Sequence, residues 1–272
     1  IKKILFLNMD LSIIIPVFNS ENILEQLIHK IVKSLNNLQI KFEIILINDF
    51  SHDASWKKIK FLSNKYSNIK GLSLSENCGQ HKAIIVGLNE CKGNNIITMD
   101  DDLQHPPESI EDIYNKLSNN CDVCYVNYIN RQHPVWKIFV SWLNNIVSSY
   151  LMRKPLKIYT SSFKGFKRNV LQEIIKYQGS KVFLDGLILK ATNNISMISV
   201  PHHKRLSGIS NYDFKKLISL WSDMAVNCPI YPIRSSSFFV IIIKSLILIF
   251  RKNYYKNEKI KNQYLIKEKT YK

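Results

Sequence analysis

The stretch MDDDLQHPPE, residues 99–108, places three carboxylates in a row between an apolar run and two prolines. Carboxylate oxygens are hard donors, suited to Mg²⁺ or Mn²⁺ and poorly matched to Zn²⁺. Alternate side chains of an extended chain point the same way. Extended backbone here would therefore set Asp100, Asp102 and Gln104 on one side, with Asp101 and Leu103 on the other. Three oxygen donors converging at a strand end could hold a divalent cation. Pro106 and Pro107 suit the first turn of a helix through Ile110, Ile113 and Leu117. The bland alternative is a solvated acidic turn at a helix start, where carboxylates are favoured. The surrounding elements have to decide.

Those elements alternate. Residues 11–16, 42–48, 69–74 and 95–100 read as buried strands, and helical spacing of apolar residues runs through 20–36, 53–66 and 80–91. Strand–helix alternation implies an α/β fold whose mostly parallel sheet is covered on both faces, with ligands bound at the carboxyl ends of the strands. Polar residues gather at those ends in PVFNSE, NDFSHD and DDDLQH. No G-x-G-x-x-G fingerprint is present, which disfavours a dinucleotide oxidoreductase. Further on, residues 136–152 predict an amphipathic helix with Trp136, Phe139, Leu143, Ile146 and Val147 on its apolar side. Strand character returns at 161–168 and 195–201. Residues 238–250 are the most apolar segment, but 13 residues including Lys244 fall short of the roughly 20 needed to span a bilayer.

The formal net charge of +17 predicts an anionic partner: nucleic acid, a membrane surface or a phosphorylated substrate. Residues 251–272 carry eight Lys or Arg against two Glu, so this basic tail supplies +6 of the total. Beside an apolar segment it suits an anionic membrane surface, at roughly 1 kcal/mol per basic residue. No aromatic–basic interleaving or nucleic-acid motif is evident, and nucleic acid is not expected as a partner. Five dispersed cysteines argue against a disulfide framework. Cys121 and Cys124 form a C-x-x-C without a second pair and read as structural thiols.

Four segments in order carry a family resemblance: SIIIPVFNSEN, ILINDFSHDAS, SENCGQHKAIIVGL and MDDDLQHPPE. The chain resembles a family-2 glycosyltransferase of GT-A fold, in the branch of dolichol-phosphate mannosyltransferase and bacterial polyprenyl-phosphate glycosyltransferases. The resemblance covers residues 11–234. Residues 1–10 are read as a leader or fragment edge, and 235–272 as an apolar, membrane-proximal segment with a basic tail, or a truncated membrane region. It implies a metal-dependent, inverting transfer from a UDP- or GDP-sugar to polyprenyl phosphate, at the cytoplasmic face of a membrane. It also implies that Asp100, Asp102 and Gln104 place Mg²⁺ or Mn²⁺. The nucleotide-sugar set would be Pro16, Phe18, Glu21, Asp49, Asp100 and Asp101, with Arg205 and Ser210 from a closing loop, RLSGISNY. Asp102, Arg205 and Asp185 are the catalytic candidates, Asp185 as an alternative acid–base group; Ser20 competes with Glu21 for its position.

The chain departs from the family pattern at four places. Asn48 and Phe50 replace an aspartate and a glycine, Asn211 replaces a lysine, and Ser162 stands where many relatives carry aspartate. A phosphate acceptor, with a second pKa of about 6, is ionised near neutral pH and needs no strong base; an alcohol acceptor would. Transfer to a growing surface glycan, and a nucleotide-binding relative without turnover, stand as the alternatives.

Overall fold

A computed structural model describes residues 9–36, 38–119, 121–129, 135–152, 154–177, 183–201 and 266–271. β1 (Met9–Val17), β2 (Phe42–Asn48), β3 (Ile69–Leu74) and β4 (Gly93–Thr98) alternate with α1 (Leu24–Leu35), α2 (Ser55–Lys65) and α3 (Gln80–Glu90). After α4 (Ser109–Ser118) come β5 (Val123–Ile129), α5 (Val135–Met152), β6 (Lys164–Lys167), α6 (Arg168–Ile174), α7 (Leu184–Ala191), β7 (Ile195–Pro201) and β8 (Ile266–Lys269). One sheet of eight strands holds them in the order β7-β5-β6-β4-β1-β2-β3-β8. β1 pairs in parallel with β2 and β4, and β2 with β3, while β6 runs antiparallel between β4 and β5.

Apolar residues occupy both phases of the strand alternation because both faces of the sheet are covered. Leu11, Ile13 and Ile15 of β1 pack with Leu27, Ile31, Ile59, Ile110 and Ile113 on one face. Ile14, Ile45 and Ile47 pack with Ile84, Leu88, Leu171 and Ile188 on the other. A parallel sheet between two helical layers requires this near-continuous hydrophobicity.

The amino ends of the strands are closed by a buried polar knot. Glu43 is 1% exposed and accepts from Ser12 Oγ at 2.6 Å, Lys70 Nζ at 2.6 Å and Lys92 N at 2.5 Å. Gly93 N donates to Ser12 Oγ at 2.7 Å. With its donors in place a buried carboxylate is tolerated; alone it would not be.

The sheet departs from expectation at its far edge. Residues 266–271, assigned from sequence to a membrane-facing tail, instead form β8 and its extension, antiparallel to β3. Trp56 Nε1 donates to Glu268 at 2.7 Å, Lys269 and Tyr271 OH meet Glu90 at 2.6 and 2.9 Å, and Gly71 N donates to Thr270 Oγ1 at 2.8 Å. Edge pairing satisfies backbone groups that β3 would otherwise present to solvent. Within α5, Val147 is buried as expected, whereas Leu143 and Ile146 are only partly covered and Trp142 is 51% exposed. The side chains of Trp136 and Phe139 lie outside the described residues, as do residues 1–8 and the segment 238–250.

Gly93 is irreplaceable for a geometric reason. A Cβ there would sit 2.4 Å from Ser12 N and 2.7 Å from the Leu11 carbonyl carbon, backbone atoms that no rotamer change can move. Gly93→Ala is therefore expected to cost about 1–3 kcal/mol, read as a lower urea midpoint. An unchanged midpoint would show that β1 and β4 are not packed this closely.

Candidate active site at the carboxyl ends of the strands

β1, β2, β3 and β4 run in one direction, so the loops after them meet at one edge of the sheet. They frame a cleft of about 390 Å³ whose walls include Pro16, Phe18, Asp49, Gln80 and the run Asp100–Asp102. The three non-glycine residues with positive φ among the described residues, Asn19 (53°), Phe50 (58°) and Leu103 (59°), all belong to these loops. Left-handed backbone outside glycine is uncommon and persists only where surrounding structure holds it. Here the hold is visible: Asn19 Oδ1 accepts His52 N at 2.9 Å and Asn19 N donates to Ser51 Oγ at 3.1 Å.

The acidic run does not continue the strand. β4 ends at Thr98, Asp102 Oδ1 accepts the Gln104 N–H at 3.1 Å, and Leu103 turns left-handed with its side chain buried. The expected alternation is thereby overturned. Asp100, Asp101 and Asp102 all line the cleft, and Gln104 is not among its lining residues. Three adjacent carboxylates are accommodated because each has its own donors. Asp100 accepts from Gln80 Nε2 at 2.5 Å and from Ser162 Oγ at 2.7 Å. Asp101 turns toward the end of β1, accepting from Phe18 N at 3.1 Å and from Ser20 Oγ. Burial pushes the Asp101 carboxyl up to about 6; the Ser20 and Phe18 bonds oppose this, and the neighbouring Asp100 and Asp102 add to it.

His105 fixes the loop from beneath. Its Nδ1 accepts the Asp100 N–H at 3.0 Å and so carries no proton, which leaves Nε2–H facing Ser162 Oγ at 3.3 Å and Asp100 Oδ2 at 3.6 Å. Burial lowers its pKa, against the pull of Asp100 and Asp102. The ring stacks on Phe163 at 5.0 Å and on Tyr128 at 5.9 Å. This is a loop-orienting histidine.

On the opposite wall, Asp49 is 4% exposed and accepts from Cys78 N at 2.7 Å and Gly79 N at 2.9 Å. Burial raises its pKa, while those bonds and nearby Lys82 lower it. It thus shapes the turn into α3, where Gly79 needs a φ of 83°. Asn48 ties strand β3 to the loop after β2, its Nδ2 donating to Ser73 Oγ at 3.0 Å and its Oδ1 accepting Ser51 N at 3.2 Å. Phe50, in place of the family's glycine, stays 39% exposed with its ring 5.6 Å from that of His52.

Of the residues singled out from sequence, the fold brings Pro16, Phe18, Asp49, Asp100, Asp101 and Asp102 to one cleft. Glu21 is not among them; its Oε2 accepts Ala54 N at 2.6 Å, at the start of α2. Ser20 reaches the acidic run instead. Asp185 is 8% exposed, accepts from Tyr125 OH at 2.9 Å and is ion-paired with Lys164. That buried pair fastens α7 to β5 and β6. Arg205 and Ser210, with Gly208 and Asn211, lie outside the described residues. Gln80 and the Ser162 bond to Asp100 were not foreseen; the one available signal was the position of Gln80 directly after Gly79 at a helix start.

The donor set fits a hard divalent cation. Among the described residues, no cluster of three or more His, Cys, Asp or Glu is gathered around a metal position. Asp100 and Asp102 on an open cleft instead match the habit of Mg²⁺, which is held by one or two carboxylates together with substrate phosphates.

Comparison with known proteins matches residues 12–175 to the model of glycosyl transferase family 2. The chain is 30% identical over 224 residues to the undecaprenyl-phosphate 4-deoxy-4-formamido-L-arabinose transferase of Proteus mirabilis, covering 82% of this chain and 69% of the relative. The enzyme of the same description from Pseudomonas fluorescens is 28% identical over 240 residues, 88% of this chain and 70% of the relative. Among solved structures, glucosyl-3-phosphoglycerate synthase from Mycobacterium tuberculosis, crystallised with Mn²⁺, uridine diphosphate and phosphoglyceric acid, superposes with a TM-score of 0.60. That match is 14% identical and covers 83% of this chain and 80% of the other. At that identity it shows a shared GT-A fold.

Asp101 carries a pH signature. Its folded-state value of about 6 exceeds the ordinary 3.8, so across that interval the folded state holds a proton that the unfolded state has lost. Stability from this group is therefore highest below the interval, falls as pH rises through it, and stays lower above. In Asp101→Asn the side-chain oxygen can still accept from Phe18 N and Ser20 Oγ, without charge. Urea unfolding across this range is expected to show a flatter pH profile for the variant. A slope equal to that of the wild type would mean Asp101 does not titrate there.

Proposed function

The chain belongs to glycosyl transferase family 2 and is a glycosyltransferase, and from that premise we propose that it moves a sugar from a UDP- or GDP-sugar to polyprenyl phosphate at a membrane. The observation that carries the reading is one cleft of about 390 Å³ lined by Pro16, Phe18 and Asp49 together with the carboxylates Asp100 and Asp102. A bound Mg²⁺ or Mn²⁺, held by Asp100 and Asp102, would neutralise the charge developing on the departing diphosphate. Phe18, 45% exposed at the rim, offers a ring edge and face to the base. Gln80, Ser162 and His105 keep Asp100 in one orientation, so little reorganisation is needed as charge develops. Arg205 and Ser210 are assigned, from the sequence resemblance, to the diphosphate.

The placement of Ser162 and Asp185 supports this acceptor. Ser162 donates to Asp100 and Asp185 is paired with Lys164, so neither is poised to take a proton. An acceptor phosphate is already ionised near neutral pH. Its oxygen forms the new bond to the anomeric carbon in line with the breaking bond to the diphosphate. The electron pair leaves with the nucleoside diphosphate, and the configuration inverts. The relatives from Proteus and Pseudomonas are named for the same acceptor class, undecaprenyl phosphate. A peripheral or anchored position at the cytoplasmic face would serve this reaction. Among the described residues no helix is long and apolar enough to cross a membrane.

The test is transfer from labelled UDP- and GDP-sugars with Mn²⁺ to polyprenyl phosphate in detergent. Lipid-linked product is expected, with kcat/KM lowered about 10²–10³-fold by Asp102→Asn. Asp185→Asn should lower the melting temperature more than it lowers kcat/KM. Transfer to oligosaccharide and not to lipid would replace the acceptor assignment; full activity in Asp102→Asn would overturn the metal-site assignment.

A further inference from the structure

Of the left-handed residues Asn19, Phe50 and Leu103, two have an evident reason for their backbone. Asn19 carries a short polar side chain that bonds locally, and Leu103 is buried in the core. Phe50 has neither feature. For a bulky side chain a φ of 58° is an outlier, and its ring is 39% exposed, so burial offsets little of the cost. The family pattern places glycine at this position, and glycine adopts such backbone freely.

The strained backbone is held from both sides. Before it, the Asp49 carbonyl accepts Asn77 Nδ2 at 3.2 Å, while the Asp49 carboxylate accepts Cys78 N and Gly79 N. After it, Ser51 N donates to Asn48 Oδ1, Ser51 Oγ accepts Asn19 N, and His52 N donates to Asn19 Oδ1. A disfavoured conformation held this firmly points to a use for what it displays. What it displays is a row of rings. The exposed His52 stands between two phenyl rings, meeting Phe50 in a T-shape at 5.6 Å and Phe18 in another at 6.4 Å. Both spacings fall in the range of favourable aromatic pairs. Phe18 lines the cleft, so the row starts at the cleft rim and runs outward to Phe50.

We infer that Phe50 and His52 extend the wall begun by Phe18 into a stacking ledge for the nucleobase of the donor. A base presents a flat π-face, which aromatic side chains hold largely without regard to its identity. The surroundings of the row favour a base over an acyl chain. Asn19, Ser51 and Asp49 beside it are polar, whereas a lipid tail calls for aliphatic neighbours. The carboxylates that would hold a metal and a diphosphate line the same cleft, so a nucleotide anchored there can lay its base on Phe18 and the rings beyond it. The inference rests on the nucleotide-sugar reading of the donor. It adds to that reading a ring that the family's glycine does not supply.

The test is calorimetric titration of the full chain with UDP and with GDP, each with Mn²⁺, and with inorganic pyrophosphate as a probe that has no base. Phe50→Gly should raise the melting temperature by about 2–4 °C, because the strain is relieved. The same variant should nevertheless bind nucleotide about 3–10-fold more weakly. Phe50→Ala removes the ring but keeps the left-handed strain, so it should weaken nucleotide binding equally without the gain in melting temperature. Phe50→Tyr restores a ring and should bind nucleotide as the wild type does. Pyrophosphate affinity should not differ among these chains, a split that a merely structural role would not produce. Wild-type nucleotide affinity in Phe50→Gly and Phe50→Ala would overturn the inference and leave the donor reading standing. An equal loss for pyrophosphate would also overturn it, by tracing the effect to the loop of Asp49. So would weakened binding in Phe50→Gly alone, since backbone freedom and not the ring would then be the cause. Transfer lowered at unchanged nucleotide affinity would give the ring to the acceptor, again against the inference. A wild type that binds pyrophosphate but neither nucleotide would sink the donor reading, and the ledge with it.

Discussion

Three consecutive carboxylates at one strand end repel each other, and the cleft exists because the fold separates them. Asp100 is drawn toward α3 and the strand-entry residue Ser162, Asp101 toward the end of β1, and Asp102 onto its own loop. Each needs a donor from a different part of the chain, so α3, β1 and the approach to β6 must all be in register before the loop can take its shape. His105 and the left-handed Leu103 then fix its backbone. The electrostatic cost is kept because the same carboxylates are where a cation and a diphosphate can be held.

The two ends of the sheet divide the work. At the amino ends, Glu43, Ser12 and Gly93 form a closed polar knot. At the carboxyl ends, the loops carry strained residues and acceptors facing an open cleft. A parallel sheet makes this division possible, since its strands all finish on the same side. β6 and β8 run against that direction, and the approach to β6 brings Ser162 to the cleft.

What was legible in the sequence is what local periodicity and order of motifs encode. The strands and helices from β1 to α4 follow from apolar spacing and the acidic run at a strand end from the order of polar residues, while Pro16, Phe18 and Asp49 as cleft residues came from the family resemblance. What only the tertiary structure decided are the properties set by distant partners. Gln104 left the expected ligand set because a left-handed Leu103 broke the alternation. Asp185 became a structural ion because Lys164, 21 residues away, lies against it. Glu21 went to α2 and Ser20 to the acidic run, a choice made by geometry across β1 and β4. Within the basic tail, residues 266–269 became β8, held by bonds such as that of Thr270 with Gly71, 199 residues away. The burial of Asn145 and Ser149 in α5 likewise depends on Lys154 folding back to meet them. Periodicity reports which residues avoid water, but not which polar groups find one another, and that pairing assigned the roles.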